Sequence, residues 1–192
     1  MIALIILAAG QSQRFGSPKA LAVIDGQPII ERMQNNFLPT SVGEIIVVLG
    51  AHAQSIEPHI FKHKKISSVY NKDHKFGQSS SVQTALRILS NDVKGFFILP
   101  VDYPLIVPQT LEALTQKFEQ KKKAIIIPTF NQHRGHPPLF DIYFKEQILN
   151  LPTDQGLNAI IHQNASVIVD WEVCDAGVLK TFNTPEELKS II

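Results

Sequence analysis

Cysteine is almost missing from the 192 residues: Cys174 stands alone, so no internal disulfide can form and a small disulfide-stapled scaffold is excluded. A lone thiol suits a reducing compartment, and the cytoplasm is the expected location. Long apolar runs are missing too. The apolar start, Ile2 to Ala9, falls far short of the roughly 20 residues of a membrane helix, and no basic stretch precedes it, so a buried strand is expected there rather than a signal or an anchor. An excess of charge of one sign is also lacking. With 18 Lys and Arg against 17 Asp and Glu, the formal net charge of +1 supplies no overall field toward nucleic acid or membrane, and neither is an expected partner. Any anionic ligand must be held by local groups.

No internal repeat, low-complexity linker or Pro/Ser-rich hinge divides the chain, so a single domain over residues 1–192 is expected. Hydrophobic residues at 44% and charged residues at 18% give it enough apolar matter for a packed core. Short runs rich in Ile, Val and Phe alternate with stretches of helical period, the pattern of a parallel sheet covered by helices, so the fold class is α/β. Strands are predicted over 2–9, 44–49, 66–70, 95–99, 124–128 and 166–170. Helices are predicted over 28–38, 53–61, 78–90, 108–121, 142–149, 154–163 and 185–191. Thr184-Pro185-Glu186-Glu187 is a helix start, with a capping hydroxyl, a proline at the first helical position and two acids on the positive end of the dipole. Thr153-Asp154-Gln155 opens a helix in the same manner. Lys121-Lys122-Lys123 reads as basic residues after a helix C-terminus, with a phosphate contact as the alternative.

The first strand runs into Leu7-Ala8-Ala9-Gly10-Gln11-Ser12-Gln13-Arg14-Phe15-Gly16-Ser17-Pro18-Lys19. Glycines leave backbone N–H groups uncovered, Arg14 offers a fork to phosphate oxygens and Lys19 a point charge, so the loop suits a polyphosphate. A glycine turn with surface cations is the other reading. The spacing is neither that of the common nucleoside triphosphatase loop nor a Gly-x-Gly-x-x-Gly dinucleotide fingerprint. A second apolar run, Phe96 to Leu99, delivers Asp102 just beyond its carboxyl end, where ligands of open parallel sheets bind. One carboxylate beside phosphates is what Mg²⁺ asks for; a solvated aspartate capping the turn before Pro104 is the alternative. Zinc at His133 and His136 is not expected, since a spacing of three places them on opposite faces of a strand with no cysteine near.

The spacing Leu7-Ala8-Ala9-Gly10-x-Ser12-x-Arg14-Phe15-Gly16-x-x-Lys19 resembles the signature of the MobA-like nucleotidyltransferases, the group of the molybdenum cofactor cytidylyl- and guanylyltransferases. More distantly it resembles the sugar-phosphate and methylerythritol-phosphate nucleotidyltransferases. The resemblance runs from residue 4 to about 190 through six segments in order. It implies a three-layer α/β/α Rossmann-like domain of the nucleotide-diphospho-sugar transferase type with a mostly parallel sheet. It implies Arg14 and Lys19 on the triphosphate, and Leu7, Ala8, Ala9, Gly10, Ser12 and Gly16 in the loop that wraps it. Asp102, in an Asp-x-Pro-Leu segment, falls on the Mg²⁺ ligand. Asn71 followed by Gly77 to Ser81 is similar to the segment beside the nucleotide base, with Gln78 where methionine is common. Gly135-His136-Pro137 and Asp154 are similar to acceptor-side segments.

The ending departs from the cytidylyl pattern: Asn183-Thr184-Pro185 resembles guanylyl members, and Asn183 offers a metal an oxygen without a charge. Ala8-Ala9-Gly10 with Gly135-His136-Pro137 favours CTP, and the ending pulls toward GTP; CTP is the expected donor and a molybdopterin-type compound the expected acceptor. A molybdenum enzyme is the client such a product implies. A sugar or alcohol phosphate acceptor is the competing enzymatic reading, and a noncatalytic nucleotide sensor the reading from another class.

Overall fold

The computed structural model describes residues 1–152 and 155–192. The opening run forms β1 (Ile2–Ala8), buried along its whole length, followed by the glycine-containing loop and a small hairpin of β2 (Val23–Ile24) and β3 (Gln27–Pro28). Then come α1 (Ile29–Phe37), β4 (Glu44–Leu49), α2 (Ala53–Ile56), β5 (Ile66–Tyr70) and α3 (Gln78–Ile88). The second half holds β6 (Gly95–Pro100), α4 (Pro108–Glu119), β7 (Ile125–Phe130), β8 (His133–Arg134), β9 (Leu139–Asp141), α5 (Lys145–Leu149), α6 (Asn158–Gln163), β10 (Ile168–Glu172) and α7 (Pro185–Ile191).

The strands make one eight-stranded sheet in the order β10-β7-β9-β6-β1-β4-β5, with β8 paired to β7. β1 runs parallel to both β4 and β6, β4 to β5, and β7 to β10, while β9 lies antiparallel between β6 and β7. Alternate residues of β1 face opposite sides, as the strand period demands. Leu4, Ile6 and Ala8 join Met33 and Phe37 of α1 and Leu111, Leu114 and Phe118 of α4 in one core. Ala3, Ile5 and Leu7 join Val82, Ala85 and Leu86 of α3, Ile148 of α5 and Ile160 of α6 in the other. Helices thus cover both faces, giving the three layers and the mostly parallel sheet that the sequence indicates. Among the described residues no helix is long and apolar enough to cross a membrane.

The differences from the sequence reading have local causes. The helix expected over 53–61 stops at Ile56 and tightens into a 3-10 turn over Glu57–His59, where Pro58 removes a backbone donor. β9 escaped notice because Leu139 and Phe140 follow Pro137 and Pro138 and are too few to show a period of two; both are fully buried within the sheet. The helix expected from residue 154 is described from Asn158, and its Thr153-Asp154 start lies outside the described residues. At α7 the cap is as expected, Thr184 Oγ1 accepting from the Glu187 N–H at 3.2 Å.

Asp175, 8% exposed, ties the carboxyl side of the sheet together. Its carboxylate accepts from the Val107 N–H at 3.0 Å, the Thr110 hydroxyl at 2.6 Å and the Gly177 N–H at 2.8 Å. Bonds to a charged acceptor are the strong kind, and their loss strands three donors. Asp175→Ala is expected to lower stability by about 2–4 kcal/mol, read as a fall in Tm of about 4–16 °C. An unchanged Tm would show that the donors re-pair.

Candidate active site

At the carboxyl ends of β1, β4 and β6 lies an open cleft of about 550 Å³. Its wall on one side is the loop after β1, from Leu7 through Arg14 and on to Pro18, Lys19 and Ala20; the other lining includes His52, His74, Gly77, Gln78, Ser81, Pro100, Val101, Asp102 and Asn183. Parallel strands deliver their carboxyl-terminal loops to one edge, which is why segments far apart in the chain meet here.

The loop's path is set from within and from behind. Ser12 adopts a positive φ of 52° and Gly16 one of 79°, and the Ser12 carbonyl accepts from the N–H groups of Phe15 and Gly16 at 3.0 and 3.1 Å. The Ser12 hydroxyl accepts from the Lys19 N–H at 3.1 Å, closing the loop on itself. Behind it, the Ala51 N–H donates to the Ala9 carbonyl at 3.1 Å, and His52 Nε2 lies 3.0 Å from the Gln11 carbonyl oxygen. A carbonyl only accepts, so that histidine nitrogen carries the proton.

Lys19 reaches across the cleft. Its ammonium donates to Asp102 Oδ2 at 3.1 Å, to Asn183 Oδ1 at 3.1 Å and to the Phe182 carbonyl at 2.7 Å. Arg14 Nη2 donates to the same Asn183 Oδ1 at 2.9 Å. Phe15 packs edge-on against the buried Phe182 ring with centroids 5.4 Å apart, so the loop and the segment before α7 hold each other. The other oxygen of Asp102, Oδ1, is buried without a protein hydrogen-bond partner. An orphaned carboxylate oxygen on a residue that lines the cleft fits a hard divalent cation. Among the described residues no group of three or more His, Cys, Asp or Glu could hold a metal by itself, so an ion at Asp102 would take its other ligands from substrate oxygens, water or a neutral donor such as Asn183.

Ser81 lines the cleft, and Asn71 lies buried beneath it: Asn71 Nδ2 donates to Ser80 Oγ at 2.9 Å and to Ser81 Oγ at 3.0 Å. Asn71 thus orients the serines rather than facing a ligand, and the Ser81 hydroxyl, having accepted from Asn71, keeps its own hydrogen for the cleft. Gly77, with a φ of 88°, turns the chain into α3. Gly16 shapes the loop without lining the cleft.

Gly135 and His136 lie elsewhere, in a neighbouring cavity of about 310 Å³ that meets the cleft at Gln78 and is floored by Ile98, Ile127, Phe140 and Ile161. Glycine is required at 135 because a Cβ would stand 2.3 Å from the Val178 carbonyl oxygen. His136 stacks on Tyr103 at 4.2 Å between centroids. Burial lowers the imidazole pKa below its usual value, against the pull of the nearby Asp102 charge, which favours the neutral ring. The same two influences, burial first and then Asp102, raise the Tyr103 phenol, with a hydrogen bond to Thr181 opposing them. Asp154 lies outside the described residues. His52, Gly50 and the Phe182 carbonyl carry no motif of their own and were not found from the sequence.

A family model described as MobA-like NTP transferase domain matches residues 4–167. The chain belongs to this family. It is a nucleotidyltransferase, and the relatives agree. A probable molybdenum cofactor guanylyltransferase of Geobacillus sp. (strain WCH70) is 28% identical over 98% of this chain and 96% of its own length. A second protein of that description, from Natranaerobius thermophilus, is 30% identical over 75% of this chain and 67% of its own. Among solved structures, Rv0371c from Mycobacterium tuberculosis H37Rv superposes with a TM-score of 0.85 over 99% of this chain and 96% of that one at 20% identity, which shows a shared fold. The same mycobacterial protein has also been solved in complex with manganese, with a TM-score of 0.81 over 99% of this chain and 97% of that one, at 19% identity.

Proposed function

We propose that this MobA-like protein transfers a nucleoside monophosphate from a nucleoside triphosphate, CTP before GTP, to a phosphate-bearing acceptor of the molybdopterin type, with Mg²⁺ and with release of pyrophosphate. The observation that carries the reading is the convergence of Arg14, Lys19 and Asp102 on one cleft walled by the loop after β1. In the reaction an oxygen of the acceptor's terminal phosphate forms a bond to the α-phosphorus. The bond from that phosphorus to the bridging oxygen of the β-phosphate breaks in line, and pyrophosphate leaves with the electron pair. No protein nucleophile takes part, so positioning and charge stabilisation do the work. Asp102 would hold the divalent ion through its free Oδ1, and the ion would neutralise charge on the phosphate oxygens. Lys19 sets its ammonium beside the α-phosphate, while Arg14 and the loop N–H groups draw off the charge of the departing pyrophosphate.

Ala8-Ala9-Gly10 and Gly135-His136-Pro137, which resemble the cytidylyl members, support CTP as the donor. The two relatives named as guanylyltransferases, and Asn183-Thr184-Pro185, support GTP as the second reading. The relatives' names support the molybdenum cofactor acceptor, and a molybdenum enzyme is the client proposed to receive the product. The test measures pyrophosphate release with each of the four nucleoside triphosphates and Mg²⁺, with molybdopterin, with a sugar phosphate and with neither. Release with CTP and molybdopterin is expected. Release with GTP alone would reverse the donor assignment, release only with a sugar phosphate would sink the acceptor, and binding of a triphosphate with no release from any pairing would favour a sensor.

A further inference from the structure

We infer that Asn183 is a positioning residue for the two cations of the cleft, and that its neutrality is the property the site uses. The inference rests on the nucleotidyl-transfer reading and assigns Asn183 a different task from the metal ligation expected of it. A carboxamide oxygen has two lone pairs, and the structure gives both to cations: Arg14 Nη2 at 2.9 Å and Lys19 Nζ at 3.1 Å. No lone pair is left over for a metal while the two donors stay in place.

The backbone that carries this carboxamide is itself held from two sides. The Asn183 N–H donates to Glu187 Oε2 at 2.6 Å, and the Glu187 N–H donates to Thr184 Oγ1 at 3.2 Å, so the cap of α7 fixes residue 183. On the other side Phe182 is fully buried, and its carbonyl takes a third hydrogen bond from Lys19 at 2.7 Å. The exposed Glu187 therefore acts on the cleft through Asn183, without touching a ligand.

Charge explains why an asparagine serves here. Asp102 is the one carboxylate bonded to either cation, and the exposed Glu187 stands behind the Asn183 backbone where solvent screens it, so Arg14 and Lys19 keep an excess of positive charge at the cleft. A carboxylate at 183 would bond to both cations equally well but would cancel the remaining charge, and an incoming polyphosphate would meet a neutral cluster. The carboxamide orients the two side chains and leaves their charge available.

Binding of inorganic tripolyphosphate by titration calorimetry in EDTA tests this, because a metal-ligand role is silent there. Relative to the unchanged protein, Asn183→Asp is expected to weaken binding by about tenfold or more, and Asn183→Ala by about threefold. Glu187→Ala should weaken it by a similar few-fold, and Glu187→Gln, which keeps an acceptor oxygen for the Asn183 N–H, should restore it. Tripolyphosphate binding to Asn183→Asp as tight as to the unchanged protein overturns the inference. So does an Asn183→Ala protein with full affinity in EDTA but weakened Mn²⁺ binding in the presence of nucleotide, as does failure of the unchanged protein to bind tripolyphosphate. If the Asn183 variants do not fold, the Glu187 pair decides alone. The expected order of affinities in a protein that releases pyrophosphate from no nucleotide would support the positioning role while refuting the transfer reading.

Discussion

Replacing Lys19 by alanine is expected to slow pyrophosphate release about 10³-fold while leaving the fold intact. The side chain sits in neither core, so its removal opens no cavity among the packed layers. What it removes is a charge that bridges the cleft, bonded at once to Asp102, Asn183 and the Phe182 carbonyl. Interactions with developing charge at a reacting phosphorus count mainly in the transition state, so the loss should appear in kcat and in kcat/KM together. Arginine is expected to rescue little, because a planar fork cannot reach the Asp102 oxygen and the Phe182 carbonyl with the same compact geometry. Asp102→Asn is an informative companion, since it keeps an oxygen for Lys19 and loses the charge that a divalent ion needs; its activity should fall by a comparable factor and recover in part at raised metal concentration. Turnover of Lys19→Ala at the normal rate would remove the lysine from the mechanism.

The parts of this cleft that could be read in the sequence are those whose chemistry lies in a side chain and whose neighbours lie close along the chain. Arg14 and Lys19 occur within one loop, and Asp102 follows an apolar strand, so spacing and residue type were enough to point to an anion and a metal. What spacing could not show is that Lys19 is bonded to Asp102, since that contact spans 83 positions. The Phe182 carbonyl was invisible for a different reason: every residue has a carbonyl, and only the bend before α7 aims this one at Lys19. Asn71 illustrates a third case. Its place next to the serine cluster was legible, but only the packing shows that its amide is spent on Ser80 and Ser81 beneath the cleft. In the fold, long strands buried on both faces were the strongest signal. The weakest were β9, three residues long behind two prolines, and the short helix α2, cut off ahead of Pro58.

Gly50→Ala is expected to reduce activity about 10²-fold, although residue 50 touches no ligand. It follows β4, at the level where β1 gives way to the loop, and a Cβ there would lie 2.5 Å from the Ala9 carbonyl oxygen and 2.8 Å from the Ala9 Cβ. Neither atom is the end of a flexible side chain, so the backbone itself has to move. Separating the two segments stretches the Ala51 to Ala9 hydrogen bond and pulls His52 from the Gln11 carbonyl, the two contacts that brace the loop from behind. Stability should drop by only about 1–3 kcal/mol, the range for one added methyl in a packed region, because the cores beneath are untouched. Activity should suffer far more, since Arg14 and Lys19 are aimed by the loop that moves. The two effects separate in one set of measurements: Tm reports the first, and KM for the nucleoside triphosphate with kcat reports the second. A variant that loses stability but keeps both kinetic constants would show that the loop finds its conformation without the Gly50 to His52 brace, and that Ser12 and Gly16 shape it unaided.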